Sequence, residues 1–255
     1  MAEYFQKLRE QADRNLVETK AIVSQAREEL LRFFPEWNIK TEAVKGSPAR
    51  EILSRAIAFN PDIIVVGAQG LSSDQDTGLG SISQKVLTAA KCSVRIARLK
   101  PDAARSRLKI IIGFDNSPGS MAAVETVALQ PWKTKPEIRP VTVTDPFVLL
   151  IPGRVFQPIP GMSEGKMNGE QKWIEMLAAN TLQVLRDAGL TATLHIYSGN
   201  PRMILAREAE NWESDSVFIG ANSLQFQPEF YSLGCVASAI AARSSCSVEV
   251  VRQVQ

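Results

Sequence analysis

Two periods of apolar residues run through the chain and divide it into strands and helices. Short, nearly unbroken apolar runs at residues 63–66, 93–99, 109–114, 138–144, 191–197, 217–219 and 247–251 read as strands of a buried sheet, with 39–44 as a further short candidate. Between them, apolar residues return every three or four positions, which predicts helices over 48–59, 82–90, 120–129, 171–188, 201–211 and 234–243. Residues 4–34 carry the same period, with Phe5, Leu8, Ala12, Leu16, Val23, Ala26, Leu30 and Phe34 on one side. That is long for one globular helix, so a break or an overhanging end is expected. Ser47-Pro48 supplies an N-cap and a first-turn proline, Gly199-Asn200-Pro201 opens another helix, and Asn60-Pro61-Asp62 and Gly189 close helices. Residues 146–169 hold four prolines and four glycines and read as a long loop.

The strand–helix order repeats. Gly46, Pro48, Asp62 and Gly67 recur as Gly199, Pro201, Asp215 and Gly220, all at an offset of 153. Gly80, Cys92, Val94 and Arg98 recur as Gly234, Cys246, Val248 and Arg252, at 154. So many matches at one spacing mark two copies of one domain-sized unit. Alternating strands and helices joined by right-handed crossovers give an α/β fold of parallel sheets covered on both faces. The expected layout is a first domain over 1–100, a linker over 101–107 and a second domain over 108–255.

The first copy is short. The second opens with the strand ending at Asp115, whose counterpart would lie 38 residues before the numbering begins. The first copy therefore lacks a first strand, first helix and second strand, and opens at the helix that 171–188 matches. Three readings remain: the chain is a fragment or has a late start, the long first helix covers the gap, or a second molecule completes the sheet. The first is preferred.

Composition narrows the classes. With 29 basic and 27 acidic residues the net charge is +2, which leaves no electrostatic footprint for nucleic acid or a membrane surface. No apolar run approaches a membrane span, and the charged, amphipathic start is not a signal peptide. Three cysteines without metal spacing fit a reduced, cytoplasmic setting. One histidine, His195, leaves little room for histidine chemistry and reads as structural.

The candidate chemistry lies in GAQGLSSDQDTGLGS, from Gly67 to Ser81. It follows a buried-type strand and opens a helix. Glycines let backbone N–H groups approach an anion, and the helix start adds unpaired N–H groups and a favourable dipole. The spacing Gly67-x2-Gly70-x9-Gly80-Ser81 is neither a Walker loop, since no lysine follows the last glycine, nor the more compact dinucleotide fingerprint.

On these residues the chain resembles the universal stress protein family in its tandem form. The strand with an acidic end, IIIGFDNS, the GSP and GNP turns, and the ends KCSVRIAR and SCSVEVVR resemble it too. The resemblance covers nearly the whole chain. It implies an α/β fold related to other adenine-nucleotide-binding folds, with Gly67, Gly70, Gly80 and Ser81 holding triphosphate and ribose. Ser83 joins this loop set, and Asp115 stands at the family's acidic position near adenosine, but in the other half. The implied ligand is ATP or AMP, with Mg2+ alongside a triphosphate; for Asp74 and Asp76, Mg2+ ligation and plain solvated charge both stay open. The resemblance also implies pairing of the last strands, 93–99 against 247–251, as an intramolecular pseudo-dimer that leaves room for a homodimer.

The second loop, GANSLQFQPEFYSLGC, departs from the pattern. Ser223 replaces the second glycine, ten residues follow instead of nine, and Cys235 replaces the serine. Neither half then carries a complete site. No nucleophile–base pair, metal cluster or paired carboxylates are visible, which argues against ordinary catalysis. The expectation is a stress-response regulatory protein that binds adenine nucleotide. A nucleotide-free scaffold and a slow ATPase or self-phosphorylating protein, with Ser81 or Ser83 as acceptor, stay open beside it.

Overall fold

The computed structural model describes residues 2–69, 78–99, 107–144, 166–222 and 233–253. They divide into two compact units, Met1–Ser54 and Arg55–Gln255. In the first, α1 (Ala2–Phe33) runs 32 residues without a break, which excludes one of the two alternatives expected for so long a helix. The reason is local: no glycine or proline occurs between 2 and 33, and Pro35 follows the end. The chain leaves α1 through a turn in which Phe34 and Trp37 stack at 4.2 Å. Arg27 Nε donates to the Ile39 carbonyl at 3.1 Å, and Lys45 pairs with Asp13, whose carboxyl it pulls below the usual range.

Residues 39–44, a strand candidate by sequence, are irregular. Their repeat counterparts form β5 (Thr191–Ala192) and β6 (His195–Ser198), and both pair with β4 (Glu137–Thr144). Among the described residues the first copy supplies no equivalent of β4. Its apolar alternation therefore has no ladder to join.

Between Pro48 and Phe59 lies α2. The second unit then builds one eight-stranded sheet in the order β1-β2-β8-β7-β3-β4-β5, with β6 also beside β4. The first copy contributes β1 (Ile63–Gly67) and β2 (Ser93–Ala97), joined through α3 (Ser81–Ala89). The second contributes β3 (Lys109–Gly113), α4 (Pro118–Leu129), β4, α5 (Lys166–Asp187), β5, β6, α6 (Pro201–Asn211), β7 (Ser216–Gly220), α7 (Cys235–Arg243) and β8 (Ser247–Val251). Every pairing is parallel except β2 with β8. That antiparallel ladder is the pairing of last strands expected from the resemblance. The helix α5 starts at Lys166, so residues 166–169, read as loop by sequence, are helical despite Gly169. Residues 145–165 lie outside the described residues, as does the linker over 101–106.

The strands are apolar along their whole length because helices cover them. Ile110, Ile112 and Phe218 are buried beneath α4, whose Ala123, Val124 and Val127 are fully buried. Each such aliphatic or aromatic side chain contributes about 1.5–3 kcal/mol. The repeated turns before α2 and α6 share one backbone feature. Gly46 and Gly199 have φ of 148° and 136°, a region that side chains rarely adopt.

Candidate functional site

The strand β1 ends at Gly67, and the chain re-enters description at Gly78 before α3 begins at Ser81. The mouth of the loop is closed by its own backbone. Gly80 N–H donates to the Ala68 carbonyl at 2.7 Å, and the Ser83 hydroxyl shares its one proton between the Ala68 carbonyl at 2.9 Å and the Gly80 carbonyl at 3.0 Å. Ser83 is thus a buried clasp rather than an exposed ligand group. Gly80 is the N-cap of α3 and has no side chain to satisfy the first-turn amides. Ser81, the first helical residue, is exposed beside them. Gly70, Asp74 and Asp76 lie outside the described residues.

Asp115 is elsewhere. It follows β3 and is exposed, and its Oδ1 accepts the Ser117 N–H at 3.0 Å. Ser117 is the N-cap of α4, accepting from Ser120 N–H at 3.2 Å. The acid thus shapes the turn into α4. Three strands separate β1 from β3, so the two loops stand about 20 Å apart across the sheet. They also leave opposite ends of it, because the antiparallel β2–β8 junction reverses strand direction. The structure brings Gly67, Gly80, Ser81 and Ser83 together and leaves Asp115 at the opposite end of the sheet, with three strands between. There it neighbours the second loop, entered from Gly220 and left at Gly234, where Gly234 N–H donates to the Ala221 carbonyl at 2.6 Å. Cys235, a free exposed thiol, opens α7 there; residues 223–232 lie outside the described residues.

The two loops differ in what surrounds their first glycine. A Cβ on Gly220 would stand 2.4 Å from the carbonyl carbon of Gly119, because α4 packs its backbone there. Among the described residues, a Cβ on Gly67 would meet nothing nearer than the Gln69 carbonyl oxygen at 3.4 Å.

Sequence reasoning paired Arg98 with Arg252 only as repeat matches. The structure gives them a shared task. Arg98 Nη2 donates to the Ala241 carbonyl at 2.6 Å and Nη1 to the Cys246 carbonyl at 3.4 Å. Arg252 does the same to Leu87 at 2.6 Å and Cys92 at 3.3 Å. Each guanidinium caps the last turn of the other copy's final helix, where free carbonyls and the dipole favour a cation. Burial lowers the pKa of both arginines. Ser93 and Ser247 complete the exchange, accepting the N–H groups of Arg252 at 3.0 Å and Arg98 at 3.1 Å. Both Cys92 and Cys246 are buried, and burial pushes the Cys92 thiol up, so Cys92 is not poised as a thiolate. His195 stacks against Tyr197 at 6.3 Å on β6, and burial lowers its pKa, followed by the nearby Arg139. Among the described residues no group of three His, Cys, Asp or Glu side chains could hold a metal, and no helix is long and apolar enough to cross a membrane.

Comparison with known proteins matches this architecture. A universal stress protein in the QAH/OAS sulfhydrylase 3′ region of Thermus aquaticus is 44% identical over 55 residues, 22% of this chain and 40% of that protein. Universal stress protein YxiE of Bacillus subtilis is 38% identical over 65 residues, 25% of this chain and 44% of that protein. The matched stretches thus span less than half the length of these relatives. The crystal structure of a universal stress protein from Archaeoglobus fulgidus superposes with a TM-score of 0.58 at 21% identity, covering 99% of this chain and 80% of that one. The profile of the universal stress protein family matches residues 2–98 and again 107–252. With two family segments that account for most of its length, this chain belongs to the universal stress protein family, in tandem form.

Proposed function

We propose that this protein is a stress-response regulatory module that takes adenine nucleotide, ATP or AMP, at the loop from Gly67 to Ser81. One observation carries the reading: at the mouth of that loop a helix start without a side-chain cap stands beside a glycine, Gly67, that no described residue crowds. First-turn amides, a favourable dipole and the exposed Ser81 hydroxyl are what a phosphate group needs. Gly67 and Gly80 lend backbone, Gly70 belongs to the same spacing, and Ser83 holds the mouth in shape. Asp115, at the opposite end of the sheet, serves the second copy and not this loop. Mg2+ would come with a triphosphate. The role is binding rather than turnover: the histidine of this chain sits on β6, at the far end of the strand order from β1.

Gly80→Asp tests this cleanly. The φ of −66° at Gly80 accepts any residue, and a Cβ there would meet nothing nearer than 3.5 Å. An aspartate is also a favourable N-cap, so the fold is expected to keep or gain stability. Its carboxylate would occupy the phosphate position. Calorimetric titration with ATP and AMP is expected to show at least about tenfold weaker binding, with an unchanged or higher Tm. Absence of nucleotide binding by the unaltered protein at millimolar ATP would overturn the proposal. The departures of the second loop at Ser223 and Cys235 favour a second reading, a nucleotide-free scaffold acting through partners. Adenine nucleotide released on denaturing the purified protein, detected by mass spectrometry, would count against it.

A further inference from the structure

Under α6 lies a chain of charged and aromatic groups that the nucleotide loop does not use. Residues alternate across a strand, so Arg139, Val141 and Val143 of β4 share a face with His195 and Tyr197 of β6, which stand in register with Val141 and Val143. Glu208 of α6 is buried on that face. Its Oε1 accepts from Arg139 Nη1 at 2.5 Å, and its Oε2 accepts from the Tyr197 hydroxyl at 2.8 Å. One carboxylate therefore ties a helix to two strands, with both oxygens engaged. The Arg139 guanidinium also lies 4.0 Å from the centre of the Trp212 ring, at the end of α6. His195, the one histidine of the chain, stands beside Tyr197 with ring centroids 6.3 Å apart. Among the described residues, the charged groups around these two rings are Arg139 from β4 and Glu208 and Arg207 from α6. Lys109 of β3 reaches the far end of the cluster, where its Nζ donates to the Trp212 carbonyl at 3.2 Å.

We propose that this cluster is an acid-operated catch on β6, released when His195 takes up a proton. The imidazolium sets a second cation beside Arg139, with Glu208 as the carboxylate they share. That carboxylate has no free oxygen to offer. If it turns to His195, it must let go of Tyr197 or Arg139, and α6 loses its hold on β6 or on β4. If it stays, two cations repel each other across the strand pair. Either way the protonated form favours a loosened β6. The strand suits this role. It has four residues, pairs among the described residues with β4 alone, and is separated from β5 by a break at 193–194. Gly199 and Asn200 then lead directly into α6, so slack in β6 reaches the start of that helix. Burial, then the Arg139 charge, holds the imidazole pKa below its ordinary 6.5, against the opposing pull of Glu208. The folded protein thus binds this proton less readily than the unfolded chain. Stability from His195 is complete above the ordinary value and is lost as pH falls from there through the lowered one. The catch needs no nucleotide, so it stands or falls apart from the loop at Gly67–Ser81.

The test uses the full chain without nucleotide. Its single histidine gives one set of imidazole proton signals, whose shift with pH reports the titration of His195 directly. Amide hydrogen exchange, corrected for the intrinsic pH dependence of each amide, reads the hold on β6. Between about pH 7.5 and about pH 5.5, exchange at 195–198 is expected to rise at least about threefold, while β3 and β7 stay level. His195→Gln, which never charges, is expected to abolish the rise. His195→Lys carries the cation at both pH values and is expected to exchange fast throughout; if it does not fold, the comparison with His195→Gln decides alone. Arg139→Met is expected to raise the His195 midpoint, because the repelling charge is gone and Glu208 is left to attract. A midpoint at or above 6.5 in the unaltered protein, or the same acid rise in His195→Gln, would overturn the proposal.

Discussion

A single methyl group separates the two copies. At Gly220 it would overlap the Gly119 backbone, where no flexible side chain can yield, so Gly220→Ala is expected to cost more than about 2 kcal/mol in urea denaturation. Gly67→Ala, with its nearest neighbour at 3.4 Å, should cost under about 1 kcal/mol. Equal losses would show that the first loop is packed as the second is. Arg95 and Glu249 make a second residue-scale contrast. They are repeat counterparts and face each other in the β2–β8 ladder, on the local two-fold axis that relates the copies. Two identical halves would place like charges there; this chain places Arg95 Nη1 3.7 Å from Glu249 Oε2. Arg95→Glu and Glu249→Arg should each lower the Tm, and the double exchange should lower it less than their sum. Strict additivity would remove the pair as a determinant of how the halves join. Glu249 is buried, and burial raises its pKa against the opposing pull of Arg95. A raised folded-state pKa means that its contribution to stability is present at low pH and is lost as pH rises from the ordinary carboxylate value through the raised one. Glu249→Gln should flatten that part of the profile of urea midpoint against pH.

At the scale of elements, the reciprocal caps decide whether the two copies act as one sheet. Arg252 is buried against α3, and Arg98 is half-buried against α7, each bonded to the other copy's last helix. Arg252→Met should cost about 3 kcal/mol, since the carbonyls of Leu87 and Cys92 lose a charged donor, and Arg252→Lys should recover little because one ammonium cannot reproduce the fork. Full recovery by lysine, measured by thermal unfolding, would mean that charge alone matters. The sequence shows that these arginines repeat, but their acceptors are main-chain carbonyls, which every residue carries and no motif marks. The strand candidate at 39–44 failed for a related reason: alternation belongs to the residues, whereas a strand belongs to its neighbour. The start of α5 at Lys166 was hidden by Gly169, which costs a helix only about 1 kcal/mol when packing favours it.

For the whole molecule, the alternating pattern, the repeat and the order of elements were readable because burial and turn chemistry are written locally. The placement of the loops was not. Gly67 and Asp115 belong to different halves along the chain, and one antiparallel ladder sends them to opposite ends of the sheet. That ladder also has a consequence in time. Val94 must wait for Val250, its partner across the junction, while the whole second copy is made. At about 5–20 residues per second the delay is roughly 8–30 s. Throughout it the nascent chain carries β2 with an apolar edge unclaimed, the condition that invites mispairing with neighbouring chains. Slowing the ribosome within the second copy should therefore raise the aggregated fraction, and a chaperone that shields extended apolar segments should lower it.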